Sequence, residues 1–216
     1  MPTRLALGAL LLAAGSAAQA AVIDWNQWDA NTHGTITTGG GTVDVGFSGE
    51  TGSGWYASYP SWSPAPTWSD GAIVANAPTG GIVRLIGGNA AVVGTLTFSK
   101  PVVDPVISLW SVGQGGDTVS FDFNATPVLV AGGPSAEYGG SSIWVVGNSA
   151  YGTEGNGTVQ FKGTFTSLSW VNPNAEDWYG FNVGVAAAVP EPEALGLMLA
   201  GLVLAGTVGR RRVMAV

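Results

Sequence analysis

The chain has 216 residues, among them 34 Gly and 9 Trp, with 10% charged residues and a formal net charge of −7. Low charge with abundant aromatics excludes a disordered chain and fits a turn-rich β protein of one domain, or two small ones. The lack of cysteine excludes disulfides, thiolate-bound zinc, iron–sulfur clusters and thiol catalysis within the chain. Of the basic residues, Arg4 and Arg210 to Arg212 lie near the ends, so only Arg84, Lys100 and Lys162 serve the body. That balance excludes a nucleic-acid partner and a polybasic contact with anionic lipid.

The first twenty residues read as a secretory signal. Arg4 and the amino terminus supply a positive start, Leu5 to Ala14 an apolar core, and Ala18-Gln19-Ala20 the small-x-small pattern used by signal peptidase. An apolar run of about ten residues is too short to span a bilayer. Cleavage is therefore expected after Ala20, with Ala21 the first residue of the exported chain and signal peptidase the first processing partner.

From Ala21 to Ala188 no useful helical period occurs, and apolar alternation recurs instead. His33, the single histidine, lies in Asn-Thr-His-Gly and reads as a turn residue. Val43, Val45 and Phe47 alternate next. Apolar runs follow at Gly81 to Ile86, Val92 to Phe98 and Val106 to Val112, and then Val119, Phe121 and Phe123 alternate. Further runs lie at Val128 to Ala131, Ser142 to Val146, Val159 to Phe161 and Thr164 to Val171, and Tyr179, Phe181, Val183 and Val185 close the series. Glycine turns separate them, at Gly39 to Gly41, Gly87-Gly88-Asn89, Gly113 to Gly116, Gly132-Gly133-Pro134, Gly139-Gly140 and Gly155-Asn156-Gly157. About ten short strands so punctuated predict an all-β, antiparallel β-sandwich of jelly-roll-like type, each strand turning one face to a two-sheet core. The expected organisation is a signal peptide at 1–20, a sandwich ectodomain at 21–188 and a terminal segment at 189–216.

Gly54 to Gly71, GWYASYPSWSPAPTWSDG, sets Trp55, Tyr56, Tyr59, Trp62 and Trp68 among prolines and serines, a composition that argues against a regular strand. Two readings stand. Flat rings on a stiff loop suit stacking on sugar rings, with Trp55, Tyr59, Trp62 and Trp68 as the carbohydrate-stacking candidates, because a preordered loop loses little freedom on binding. Alternatively the stretch is a lid whose aromatics fold back over a sandwich edge and bury themselves.

The acids leave similar alternatives. Glu137, Glu154 and Glu176 are candidate oxygen donors to calcium, although no Asp-x-Asp-x-Asp loop is present, and they read equally as solvated or turn-capping residues. A glycosidase would need two such carboxylates held roughly 5 to 10 Å apart. No other cofactor and no catalytic residue is expected. His33 alone would have to serve a serine triad, and no Gly-x-Ser-x-Gly elbow supplies its nucleophile. The glycines punctuate strands and form no phosphate-binding loop.

The last segment has three parts in order: Pro190-Glu191-Pro192, an apolar run from Ala194 to Gly209, and Arg210-Arg211-Arg212. Roughly sixteen residues of helix give about 24 Å at ~1.5 Å per residue, close to a hydrocarbon core. Gly201 and Ala205 have the small-xxx-small spacing of close helix contacts. The arginine triplet holds the C-terminus on the cytoplasmic side and the body on the other. Two prolines flanking Glu191 keep the peptide extended ahead of the helix, where a processing enzyme can read it.

This segment resembles the PEP-CTERM sorting signal, a Pro-Glu-Pro motif followed by a hydrophobic helix and an arginine cluster. It departs only in Glu193, where a small polar residue is commoner, and in the Met-Ala-Val that trails the arginines. The resemblance implies an exosortase, an integral-membrane transpeptidase-like enzyme, as processing partner. It implies Pro190, Glu191, Pro192 and Arg210 to Arg212 as recognition residues, and a Gram-negative host that makes exopolysaccharide. In such a host Asn124-Ala125-Thr126 and Asn156-Gly157-Thr158 read as turns and not as glycosylation sites. LTFSKPVVDPVISLWSVGQ and GTEGNGTVQFKGTFTSLSWVNPNAEDWYGFNVG are similar, more loosely, to ectodomains found ahead of such tails.

The expected function is that of an exported, non-enzymatic surface or extracellular-matrix protein. It is anchored transiently in the inner membrane, processed at its tail, and associated with exopolysaccharide or matrix proteins. The alternatives are a permanently anchored single-pass envelope protein with a periplasmic sandwich, and a secreted polysaccharide-acting enzyme.

Overall fold

Val43, Val45 and Phe47 are buried while Thr42, Asp44 and Ser48 are exposed, and this two-residue period fixes the inner face of the strand Gly41–Ser48. The computed structural model describes residues 20–187, and their architecture repeats that division. In chain order the first strands are β1 (Ile23–Trp25), β2 (Gln27–Ala30), β3 (His33–Thr38), β4 (Gly41–Ser48), β5 (Thr51–Tyr56), β6 (Ile82–Gly87), β7 (Gly94–Val103) and β8 (Val106–Val112). Then come β9 (Val119–Phe123), β10 (Pro127–Gly132), β11 (Ser141–Ser142), β12 (Trp144–Val146), β13 (Ser149–Gly152), β14 (Gly155–Phe161), β15 (Thr164–Val171) and β16 (Ala175–Ala186). A single 3-10 turn, Ala65–Thr67, is the only helical element among the described residues.

The first sheet runs β10-β14-β8-β16-β6-β5, with β1 added on β16 and β11 on β14. The second runs β12-β13-β9-β15-β7-β4-β3-β2. Every named pairing is antiparallel except the short one between β11 and β14. Within these sheets β6-β16-β8-β14 faces β7-β15-β9-β13, so the chain crosses between sheets at almost every step from β6 onward. That is the order of a jelly roll.

Aromatic rings fill the space between the sheets. Phe181 meets Trp28 at 5.6 Å and both Phe47 and Trp170 at 5.1 Å, all edge to face. Phe47 also stacks on Trp170 at 12°. Such pairs add about 0.5–1.5 kcal/mol each beyond the area they bury. The alternations at β4, β9 and β16 supply this layer.

The outer face of the first sheet is also covered, which the expectation of one buried face per strand did not include. β8 and β14 are buried at every position. Their cover is the segment 57–81, between β5 and β6, which has no strand of its own. The polar outer residues are tied down beneath it. Ser108 and Thr158 share a 2.7 Å hydroxyl bond, Thr158 Oγ1 donates to the Trp68 carbonyl at 2.9 Å, and Asn182 Nδ2 donates to the Asn26 carbonyl at 3.1 Å.

Other expectations change in detail. Gly155-Asn156-Gly157 is not a turn but the start of β14, so the Asn156 sequon lies in a buried strand. Its glycines answer crowding. A Cβ on Gly157 would lie 2.4 Å from the Ala131 carbonyl and 2.7 Å from Ile143 Cγ1. β5 extends into the aromatic stretch as far as Tyr56, and the run Ser142 to Val146 divides into β11 and β12 around buried Ile143. His33 opens β3 rather than lying in the turn before it. The signal peptide at 1–20, apart from Ala20, lies outside the described residues, as do the transmembrane helix and the whole segment 189–216. Among the described residues no helix is long and apolar enough to cross a membrane.

Gly157→Ala should destabilise the sandwich by about 1–3 kcal/mol through overpacking. Gly115→Ala, whose Cβ meets nothing within 4 Å, should leave stability almost unchanged. Urea midpoints of the two variants compare them directly.

Candidate functional site

The segment 57–81 is built from rings and carbonyls that answer one another. Trp62 and Trp68 meet edge to face at 5.3 Å, and Trp62 Nε1 donates to the Gly80 carbonyl at 2.6 Å. Asp70 Oδ1 accepts from the amides of Ala72, Ile73 and Val74, which rounds the turn after the 3-10 element. Contacts from Thr67 Oγ1 to the Pro134 carbonyl and from the Ala136 amide to the Ser63 carbonyl fasten it to the 133–140 loop. Trp62 is 5% exposed and Trp68 0%, so neither offers a face to a sugar. These two stacking candidates are lid residues, because the outer face of the first sheet is apolar enough at Ile82 and Trp110 to bury them. Trp55 sits on β5 opposite Val83, and its side chain lies outside the described residues.

Tyr59 has a different surrounding. Half-buried, it lines a cleft of about 420 Å³ with Trp110, Ser111, Gln114, Gly115, Tyr138, Glu154, Glu176, Asp177 and Trp178. The register builds this cleft. Trp110 of β8 pairs with Gly180 of β16, and Ile82 of β6 takes the space that a side chain on the glycine would need. Trp110 lies edge-on to Tyr59 at 5.1 Å, to Tyr138 at 5.3 Å and to Trp178 at 6.4 Å. Tyr138 is 37% exposed, and its hydroxyl donates to Asn156 Oδ1 at 2.6 Å.

Backbone strain gathers here too. Ser111 and Glu154 both hold positive φ, at 56° and 55°, where side chains other than glycine are unfavourable. The β8–β14 register slips between Gly155 and Gly157, and the Ser111 amide donates to Asn156 Oδ1 at 3.0 Å. Such a bulge re-aims the chain beside the cleft. The Glu154 amide donates to the Gly113 carbonyl, which fixes that acid at the rim.

Three carboxylates therefore meet where the sequence offered only separate acids. Asp177 accepts from Gln114 Nε2 at 3.1 Å, while its carbonyl accepts from Arg84, whose guanidinium lies 4.6 Å from the Trp178 ring centre. Glu176 is 3% exposed. Its Oε1 accepts from the Trp178 amide at 3.2 Å, and its Oε2 has no hydrogen-bond partner among the described residues. Burial, helped by Asp177 and Glu154, pushes its carboxyl up to about 7. Burial likewise pushes the Tyr138 phenol up to about 12. Glu137 stands apart from the three. Burial raises it, but the hydroxyl and amide of Ser61 outweigh that and hold it below the usual carboxylate range. Among the described residues no three His, Asp or Glu side chains are grouped to hold a metal ion, so the calcium candidates Glu137, Glu154 and Glu176 do not form a joint site. His33 lies on the other sheet, paired with exposed Asp29 at 2.8 Å.

Trp110, Tyr138 and Trp178 are the site residues that pattern reading passed over. Trp110 sat inside a run taken as core, and its signal was the phase: with Ser108 it alternates against Ile107 and Leu109. A second cavity, about 510 Å³, lies at the other end of β16 and is lined by Ala21, Lys100, Val103, Lys162 and Ala186 among others. It lacks aromatic walls, and one of its lysines is paired with Asp104 at 3.2 Å.

The described residues thus define a two-sheet all-β protein with an aromatic, acidic cleft on one outer face. Beyond them, residues 188–212 match the family model of the PEP-CTERM protein-sorting motif. The chain carries that motif, which implies an exported protein sorted through the membrane and processed by exosortase. No curated protein and no solved structure matches the chain.

Because the folded carboxyl of Glu176 titrates near 7, above the 4.5 of a free glutamate, the native state holds the extra proton between those values. Stability should fall as pH rises through that window, by at most about 1.4 kcal/mol per pH unit. Glu176→Gln should flatten the slope, as read from urea unfolding at pH 5, 6 and 7.

Proposed function

We propose that this chain is a non-enzymatic surface or extracellular-matrix protein that holds exopolysaccharide in the cleft where Tyr59, Tyr138 and Trp178 surround buried Trp110. The observation that carries this reading is the cleft itself. Partly exposed rings supply flat apolar faces, and Gln114, Glu154 and Asp177 at the same walls supply groups that orient hydroxyls. The rings are fixed by their mutual packing, so little freedom is lost on binding. Delivery follows from the tail. Residues 1–20 are removed by signal peptidase, and residues 189–216 hold the protein briefly in the inner membrane of a Gram-negative host. Exosortase then cuts near Pro190-Glu191-Pro192 and releases the sandwich to the outer surface or matrix.

One observation favours a second reading, hydrolysis of a polysaccharide. A protonatable acid, Glu176, shares the cleft with the carboxylates Glu154 and Asp177, the division of roles that glycosidases use. Product release that is lost in Glu176→Gln would replace the binding reading with this one.

Trp178→Ala and Tyr138→Ala should each weaken retention on host exopolysaccharide by roughly tenfold or more, the cost of truncating an anchoring ring. Urea midpoints establish that each variant is folded, and unchanged retention in both would defeat the cleft as the binding site. For delivery, the intact mass of protein from an exporting host should begin at Ala21 and end near the Pro-Glu-Pro motif. A species that keeps Arg210 to Arg212 in the presence of exosortase would mean a permanent anchor.

A further inference from the structure

We infer that the cleft selects saccharides bearing free amines, positively charged amino sugars, over neutral and anionic ones. The inference rests on the glycan-binding reading above and names the class of sugar.

Charge is the first ground. The residues lining the cleft include the acids Glu154 and Asp177, beside a Glu176 that keeps its proton up to about pH 7, and no Lys, Arg or His. The body has only three Lys and Arg in all. Lys100 and Lys162 line the other cavity, at the opposite end of β16. Arg84 is already engaged, with its guanidinium over Trp178 and its Nη2 donating to the Asp177 carbonyl. Glu137 adds a further negative charge beside Tyr59, close enough to help raise that phenol, although burial is the larger cause. A uronate or sulfated sugar entering here would meet like charge, and the guanidinium at this wall, that of Arg84, is already held by the Trp178 ring and the Asp177 carbonyl. Low-dielectric aromatic walls would amplify that repulsion.

The rings are the second ground, independent of the acids. Tyr59, Tyr138 and Trp178, from separate parts of the chain, each lie edge-on to Trp110, and Tyr59 and Trp178 are tilted at 59° to each other, so their faces turn in different directions. The face of an aromatic ring carries negative charge density and attracts cations, most strongly where water is excluded. That Trp178 already has a guanidinium 4.6 Å from its ring centre shows that this wall accepts a cation. Aromatic faces with carboxylates at their margin are the chemistry of ammonium recognition. A flat sugar ring adds the stacking surface.

The test uses the protein purified from an exporting host, a β-1,4-linked glucosamine hexamer, its fully N-acetylated counterpart and polygalacturonate. At low ionic strength and pH 6, isothermal titration should give the free-amine hexamer at least about tenfold higher affinity than the acetylated one. Added salt should shrink the gap, polygalacturonate should not bind, and Asp177→Asn and Glu154→Gln should each narrow the ratio. Equal affinities for the two hexamers, or tighter binding of polygalacturonate, would overturn the amine preference while leaving a glycan site in place. Failure of all three sugars and of host exopolysaccharide to bind would overturn the glycan reading beneath it.

Discussion

The hydrogen bond from Thr158 to the Trp68 carbonyl joins two parts of the chain that would otherwise have no reason to meet. Thr158 stands on the outer face of a central strand, where a hydroxyl ordinarily faces water. Once residues 57–81 cover that face, every polar group beneath must find a partner or incur the cost of a buried unsatisfied group. Ser108, Thr158, Asn156 and Asn182 all find one. This makes the cover specific: an apolar face would accept a lid in many registers, whereas these partners admit few. The cleft depends on that register, because Tyr59 reaches Trp110 only if the cover sits where it does.

Burial and charge act in the same direction on Glu176. Its neighbours are aromatic, which disfavours ionisation, and its nearest charges are like charges, which disfavour it further. A protein selected only for stability would place an apolar residue there. The retained acid, together with left-handed Ser111 and Glu154, concentrates three locally unfavourable choices within one cleft. Local rules are broken in this way where a surface has a task beyond holding the fold.

How much of this could be read from the sequence followed from which neighbours each residue answers to. Val43, Val45 and Phe47, or Tyr179, Phe181 and Val183, answer only to a core on one side, so their period of two announced a strand and its inner face. Gly180 and Asn182 fall on the polar phase of an alternating run, and nothing local reveals that a loop a hundred residues away covers that face. The glycines of Gly155-Asn156-Gly157 were ambiguous for a similar reason. A turn and a crowded strand both call for a missing Cβ, and only the approach of Ile143 decides between them. Trp62 and Trp68 were legible as a lid or as a sugar platform, and the choice lay in the apolar patch at Ile82 and Trp110. Glu154 and Glu176 could be named but not brought together, since the turn at Gly113 that joins them is a tertiary contact.

β16 begins at the cleft and ends where the tail departs. Glu176 and Trp178 stand near its start, whereas Ala186 pairs with Ile23 and the Ala187 amide donates to the Val22 carbonyl at its end. The eight steps of strand from Trp178 to Ala186 measure roughly 26 Å at ~3.3 Å each. One stiff rod therefore separates the last described residues from the aromatic mouth, as a stem separates a cup from its base.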